Sequence, residues 1–276
     1  MSGQYNLRWL CEALLVSRSG YYDWLRRRRK PGARARENLV LRQRIREEFV
    51  RSRETYGSPR LTRMLGGAAS RNRVARLMRV ERIWARQRSK YRVQTTDSRH
   101  SDPIAPNRVL ELVPQQTDRV WVTDATYVLT GQGWLYVVAL LDLYSRRVVG
   151  WAMDEYLDAD LAIKALKMAI AQRRPQPALI VHSDRGSQFA SAAYRRTLAA
   201  HQLIPSMSRK GNCYDNAFIE AFWSSLKYEV VYHRRFATRA EARTAIFDYI
   251  ESFYNRTRLH SSLRYVSPVT FESKTN

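Results

Sequence analysis

Apolar residues follow a helical spacing in the first third of the chain and shift to β-prone runs after residue 119. Leu7, Leu10, Leu14 and Leu15 make a short stripe that residues 16–20 interrupt. The pattern resumes over 21–25, runs into the basic cluster 26–30, and ends at Pro31-Gly32. Helix, Gly-containing turn and helix suit a helix-turn-helix and an ordinary helical hairpin equally. Leu39, Leu41, Ile45, Phe49 and Val50 predict a helix within 36–55. Ser58 as N-cap and Pro59 at the first helical position predict another over 60–65, stopped by Gly66-Gly67. A further helix is predicted over 71–80. Residues 83–116 are rich in Arg, Ser, Thr and Pro without a sustained period, as expected of an extended basic linker lying along DNA.

Two β-rich runs, 119–128 and 134–143, flank Gly131-Gln132-Gly133, a hairpin signal, and 147–153 reads as a third strand. Ala162, Ile163, Leu166, Ala169 and Ile170 share one face of a helix over 160–171. Short strands at 179–182 and 203–204 alternate with helices at 191–200 and 215–232. Thr238 and Glu241 form a capping box, opening a helix with Ala245, Ile246, Tyr249, Ile250 and Phe253 on its apolar face. The order β-β-β-α-β-α-β-α predicts an α/β fold, a mixed sheet covered by helices.

Charge adds a partner to this picture. The 276 residues carry a formal net charge of +23. Residues 1–100 hold 26 Lys and Arg against 8 Asp and Glu, a net +18, which leaves +5 for the remainder. The excess is mostly Arg, whose planar fork suits phosphate, so nucleic acid is the expected partner. The two cysteines, Cys11 and Cys213, support neither a disulfide framework nor a zinc site and read as small buried hydrophobes. No apolar run approaches a membrane span, so the expected setting is intracellular.

Three acids carry the candidate chemistry. Asp124 and Asp184 lie in or just after apolar β-prone runs, and Glu220 lies on an amphipathic helical segment. Burying carboxylates among Trp, Val, Ile and Phe is costly unless cations neutralise them. Convergent acids of this kind suit Mg²⁺, a hard cation that takes oxygen ligands and keeps several waters. Beside so many arginines, the natural substrate is a phosphodiester. Asp142 reads as a structural partner for nearby arginines, and Asp215 with Asn212 as caps for the helix start. Lys227, two helical turns after Glu220, faces the same way and is placed to reach a DNA phosphate. His182 and Gln188 flank Asp184 as supporting or core residues, and Trp223 reads as packing.

Fifty-nine residues separate Asp124 from Asp184, and 35 separate Asp184 from Glu220. In these motifs the chain resembles the DDE transposases and integrases, most closely the second-frame (OrfB) product of the IS-three family of bacterial insertion elements. Trp121-Val122-Thr123-Asp124-Ala125-Thr126-Tyr127 is similar to the first catalytic strand and His182-Ser183-Asp184-Arg185-Gly186-Ser187-Gln188-Phe189 to the second acid motif. Gly211-Asn212-Cys213-Tyr214-Asp215-Asn216-Ala217, through Glu220 to Leu226-Lys227-Tyr228-Glu229, is similar to the third. Tyr254-Asn255, Arg258, His260 and Pro268 resemble the C-terminal motif. The N-terminal signature is matched by 16–24, and a helical DNA-binding segment by 56–61.

The resemblance implies a ribonuclease-H-like core in which Asp124, Asp184 and Glu220 hold two Mg²⁺ ions, with Mn²⁺ able to substitute. The expected division is a helical, basic DNA-binding region (1–82), a linker (83–116), the catalytic core (117–233) and a C-terminal helix and tail packed on it (234–276). DNA contacts are expected from Lys227, Arg26, Arg27, Arg28, Arg29, Arg60 and Arg63. The implied activity is metal-dependent 3′-end nicking and strand transfer on double-stranded DNA by a homo-oligomer in the bacterial cytoplasm, associated with the nucleoid. The resemblance also implies an upstream-frame (OrfA-type) partner that adds a helix-turn-helix and a coiled coil; no run of three or four heptads occurs in this chain, so that partner is expected for pairing ends. A retrovirus-like integrase lacks support without an N-terminal His/His/Cys/Cys module. A catalytically silent regulator is opposed by the intact acids, and a ribonuclease H would not need so long a basic region.

Overall fold

The computed structural model describes residues 6–29, 32–85, 102–110, 112–209 and 216–275. The chain divides into two compact units, residues 1–86 and 87–276.

The first unit is helical: α1 (Leu7–Ala13), α2 (Arg18–Arg29), α3 (Ala33–Arg51), α4 (Ser58–Met64) and α5 (Arg71–Val80). The break between α1 and α2 falls earlier than expected. The Ser17 hydroxyl accepts the Gly20 N–H at 3.0 Å, so Gly20 lies inside the first turn of α2. Helix α4 likewise starts one residue early: extended Gly57, not Ser58, is its cap. Gly66 and Gly67 stop the chain after α4 with φ of +64° and +76°, values that disfavour a side chain. Ser70 caps α5 by accepting from the Arg73 N–H. Leu41, Ile45, Leu61, Leu65, Val74 and Leu77 form the buried centre of α3–α5. Leu39 and Val50, expected on the buried stripe of α3, are exposed.

In the second unit a five-stranded sheet has the order β3-β2-β1-β4-β5. β1 (Val120–Thr130), β2 (Gly133–Asp142) and β3 (Val148–Asp154) form an antiparallel meander. β4 (Ile180–Ser183) and β5 (Ile204–Met207) run parallel to β1, so they need crossovers. Those are α6 (Ala159–Arg173) before β4, and α7 (Ser187–Ala190) with α8 (Ala192–Ala200) before β5. The short α7 has no counterpart in the sequence reading.

One face of the sheet buries Trp121, Val138, Leu140, Val149 and Val181 with Leu161, Ala165 and Leu166 of α6 and Tyr194 and Leu198 of α8. A Cβ on Gly150 would meet the Ala165 carbonyl at 2.5 Å, so only glycine lets α6 press onto β3. Against β1 and β2 pack α9 (Ala217–Leu226) and α10 (Arg239–Asp248). The long helix expected over 215–232 therefore starts no earlier than Asn216 among the described residues and turns π-helical over Lys227–Val231. Thr238 and Glu241 make the expected capping box, the Glu241 carboxylate accepting from the Ala237 N–H at 2.9 Å. A second π-helical turn, Tyr249–Tyr254, and α11 (Pro268–Thr275) complete the chain.

Both flanks of this unit are tied to the sheet. Part of the segment read as a free linker rests on the core: Ala105 packs against it, and the Arg108 N–H donates to Ser206 Oγ at 2.9 Å. Residues 86–101 lie outside the described residues. At the other end Asn255 exchanges two 3.0 Å hydrogen bonds with the Val148 backbone, and Glu272 accepts from Arg147 and Arg173. No helix among the described residues is long and apolar enough to cross a membrane.

Candidate active site

The parallel register brings the first two acids together. β1 pairs with β4 from Val120↔Ile180 to Thr123↔Ser183, and there the ladder ends. Asp124 and Asp184 directly follow the last paired residues, so they stand side by side at the carboxyl end of neighbouring parallel strands. Ligand sites in sheets with parallel strands form at such ends. Asp184 is held by its own turn, Oδ1 accepting the Gly186 N–H at 3.0 Å. The Gln188 side chain folds over Gly186, where a Cβ would collide with it.

α9 supplies the third acid. Glu220 is exposed in the first turn, directly after residues 210–215, which lie outside the described residues with Cys213, Asn212 and Asp215. Burial drives the Asp124 carboxyl well above its ordinary range, Asp184 and Glu220 push the same way, and the Ala125 N–H and Trp223 partly oppose them. Asp124 therefore senses both of the other acids. No three His, Cys, Asp or Glu side chains among the described residues are close enough to hold a metal. The adjacent aspartates nonetheless fit a hard divalent cation, because negative charge converges there on a partly buried carboxylate.

Lys227 joins this group. Its ammonium sits 5.0 Å from the centre of the Tyr127 ring; burial lowers its pKa while Asp124 holds it up. The indole N–H of Trp223 is buried without a hydrogen bond of normal geometry beside Asp124, a position the packing assignment did not foresee. Asp124 and Asp184 line a cleft of about 440 Å³ whose other walls are Tyr127, Trp134, Tyr136, Leu157, Ser187 and Gln188.

The remaining candidates separate by position. Asp142 is fully buried and structural, but its partners differ from those expected. It accepts from the Asp118, Tyr144 and Ser145 N–H groups and the Ser145 hydroxyl, not from arginines. Arg146 lies 3.7 Å over the Phe218 ring, and the Asp142 charge partly offsets the burial of its guanidinium, so one nearby arginine does sense Asp142. His182 is a core residue whose ring nitrogens bond Ser206 and Ser208 at 2.9 and 3.0 Å. In the first unit Arg26 pairs with Asp23, Arg28 lies over Trp24 and Arg60 over Tyr56, while Arg63 is exposed. The side chains of Arg27 and Arg29 lie outside the described ones. Cys11 is buried, as expected.

Residues 114–213 match the family described as "Integrase core domain", and residues 220–275 match a second family of the same description. A Shigella sonnei protein described as "Insertion element IS600 uncharacterized 31 kDa protein" is 44% identical over 96% of this chain and 98% of its own length. "Transposase InsF for insertion sequence IS3A" of Escherichia coli (strain K12) is 37% identical over 98% of this chain and 95% of its own. The chain belongs to the DDE transposases of the IS3 family. A simian T-cell lymphotropic virus intasome, solved with PP2A regulatory subunit B56 gamma, shares the fold, with a TM-score of 0.50 at 15% identity over 79% of this chain and 70% of that one.

As an IS3-family transposase the chain is a polynucleotidyl transferase with an integrase core, and it acts on DNA. The integrase core family is generally dependent on divalent metal. Residues 35–91, the region of α3–α5, match an "HTH-like domain". Two features escaped the sequence reading. One is the aromatic wall of the cleft, legible only as an alternation of large rings in β1 and β2. The other is a buried pair between Glu229 and Arg258, 29 residues apart.

Proposed function

We propose that Asp124, Asp184 and Glu220 are the acids through which this transposase nicks the 3′ ends of its element and joins them to DNA by direct transesterification. The observation that carries the reading is the end of the β1–β4 ladder, which sets Asp124 beside Asp184 with α9 alongside. The three carboxylates would hold two Mg²⁺ ions, with Mn²⁺ as substitute; Glu220, exposed at the start of α9, would complete the set when DNA is bound. Metal held there would supply Lewis acidity for the attacking oxygen and charge stabilisation for the departing 3′ oxygen of an in-line displacement. The carboxylates orient and need not carry protons. Lys227 adds a positive charge beside Asp124, suited to a DNA phosphate at the reacting centre.

The arginines at 26, 27, 28, 29, 60 and 63 are proposed to grip the DNA backbone without reading sequence. Residues 1–82 would form the DNA-binding region and 117–233 the catalytic core, with 83–116 between them and 234–276 bracing the core. Pairing two ends requires more than one copy, and we assign recognition of the ends to an upstream-frame partner. The expected setting is the bacterial cytoplasm at the nucleoid.

The test uses labelled element ends with Mg²⁺. Asp124→Asn, Asp184→Asn and Glu220→Gln are each expected to reduce nicking and joining to background while retaining DNA binding. Substantial joining by two of the three would overturn the assignment. Excess EDTA should stop the reaction, and Ca²⁺, larger and looser in coordination, should support binding without chemistry.

A further inference from the structure

The cleft beside the acids has two chemically different ends. Asp124 and Asp184 form one, and Tyr127, Trp134 and Tyr136, farther along the β1–β2 ladder, form the other; Gln188 also lines the cleft. Its volume of about 440 Å³ lies within the range of roughly 300–1,000 Å³ typical of pockets for small organic groups. The aromatic end is built and supported. Tyr127 and Tyr136 are directly opposed across β1 and β2, and the Trp134 ring meets Tyr127 edge-on at 4.8 Å and 82°. Lys227 occupies the space over Tyr127. Trp134 is the ring left open: it is 44% exposed, while its neighbour Leu135 is fully buried. β1 pairs with β4 only as far as Thr123, so the strand edge beyond Asp124 is where this cleft opens.

A supported indole with open surface, in the same cleft as the acids proposed to act through metal on a phosphodiester, suits a flat aromatic group attached to that phosphate. In an intact duplex the base faces are covered by stacking and only their edges are accessible. A ring platform therefore engages a base that has left the stack. Gln188 carries both a donor and an acceptor, which suits the edge of such a base.

Resting on the transposase reading above, we infer that the aromatic end of the cleft, centred on Trp134, holds the unstacked base of a nucleotide adjoining the scissile phosphate. The ends of the element are thus opened locally when they are seated. Trp134 is a binding residue in this account and the acids remain the reacting site.

The experiment is a cycle between protein and DNA. Full-length wild type, Trp134→Ala, Trp134→Phe and Trp134→Leu, each supplied with the upstream-frame partner so that the ends are seated, are titrated by fluorescence anisotropy, in Ca²⁺, with duplex element ends. The ends are intact or carry one abasic site at each of the two nucleotides on either side of the scissile phosphate. Any effect of the abasic site on the duplex itself cancels when proteins are compared. At one position the affinity ratio of intact to abasic ends should be about tenfold higher for wild type than for Trp134→Ala, in keeping with base–aromatic stacking. Trp134→Phe should keep most of the wild-type ratio, and Trp134→Leu, apolar without a ring, should lose it and carries the comparison if the alanine variant fails to fold. Equal ratios for all the proteins at every position overturn the inference. Joining in Mg²⁺ separates this failure from the other. If Asp124→Asn loses joining while the ratios are equal, the acid assignment stands and the base site falls. If Asp124→Asn joins ends as wild type does, the acid assignment falls.

Discussion

Asp124 sits among charges of its own sign, and that has a measurable consequence without metal. Burial, then Asp184, then Glu220 raise its pKa, so at neutral pH the ionised form costs folding free energy. A carboxyl with a raised folded pKa stabilises the fold more as pH falls from neutral toward its ordinary value of 3.8. In EDTA, Asp124→Asn is therefore expected to melt higher than wild type at pH 7, by about 2–4 °C for each 1 kcal/mol of repulsion relieved. The gap should narrow as the pH is lowered. A variant that melts several degrees lower would show that Asp124 is held by favourable contacts.

At the scale of elements, α9 is fastened by a pair that touches no acid of the triad. The Arg258 guanidinium donates two-pronged to Glu229 at 2.7–3.1 Å and once to Ser225 at 3.1 Å, and the Tyr249 hydroxyl donates to Glu229 at 2.8 Å. Both charged groups are buried. The contact ties the π turn that follows α9 to the C-terminal segment, and Lys227 begins that turn. Removing one member of a buried pair strands the other, at a cost of about 3–5 kcal/mol. Arg258→Met should lose that much in urea unfolding, and joining Glu229→Leu to it should recover a large part. Equal losses in the single and double variants would mean that lost packing, and not the stranded Glu229 charge, carries the cost. The helix C-terminal to it is held by charge as well. Burial raises the Glu272 pKa, but hydrogen bonds from Arg147 and Arg173 more than offset this, leaving it lowered from 4.5. Stability from a depressed carboxyl is present above the unfolded value and lost as pH falls through the folded one. Docking of α11 should thus weaken below about pH 4.5, and Glu272→Gln should remove that acid dependence from the melting curve.

At the scale of the molecule, charge and fold are divided between the two units. The net +18 of residues 1–100 predicts affinity that falls steeply with salt, with a log–log slope of about −0.9 per phosphate neutralised. A protein starting at residue 102 should keep the sheet and lose most of that slope. An unchanged slope would move the main phosphate grip to the integrase core. Starting at residue 117 instead removes Ala105 and Arg108 from the sheet and should lower the melting temperature of the core.

Much of this was written locally. The helices and strands follow from periods of 3.6 and 2, the capping box at Thr238 and Glu241, and the glycines at 66 and 67, because each depends on near neighbours in the chain. The three acids stood out as candidates too, since burying carboxylates beside large apolar runs is costly unless a cation neutralises them. What the sequence could not say depended on partners distant along the chain. Trimming β4 to end opposite Thr123, and so setting Asp124 beside Asp184, is a property of register between strands 60 residues apart. The exposure of Leu39 and Val50, the backbone partners of Asp142 and the seating of residues 102–109 on the core were likewise decided by packing. So was the ring wall of the cleft: an alternating aromatic in a strand points to one face or the other, and only tertiary contacts leave Trp134 open beside the acids.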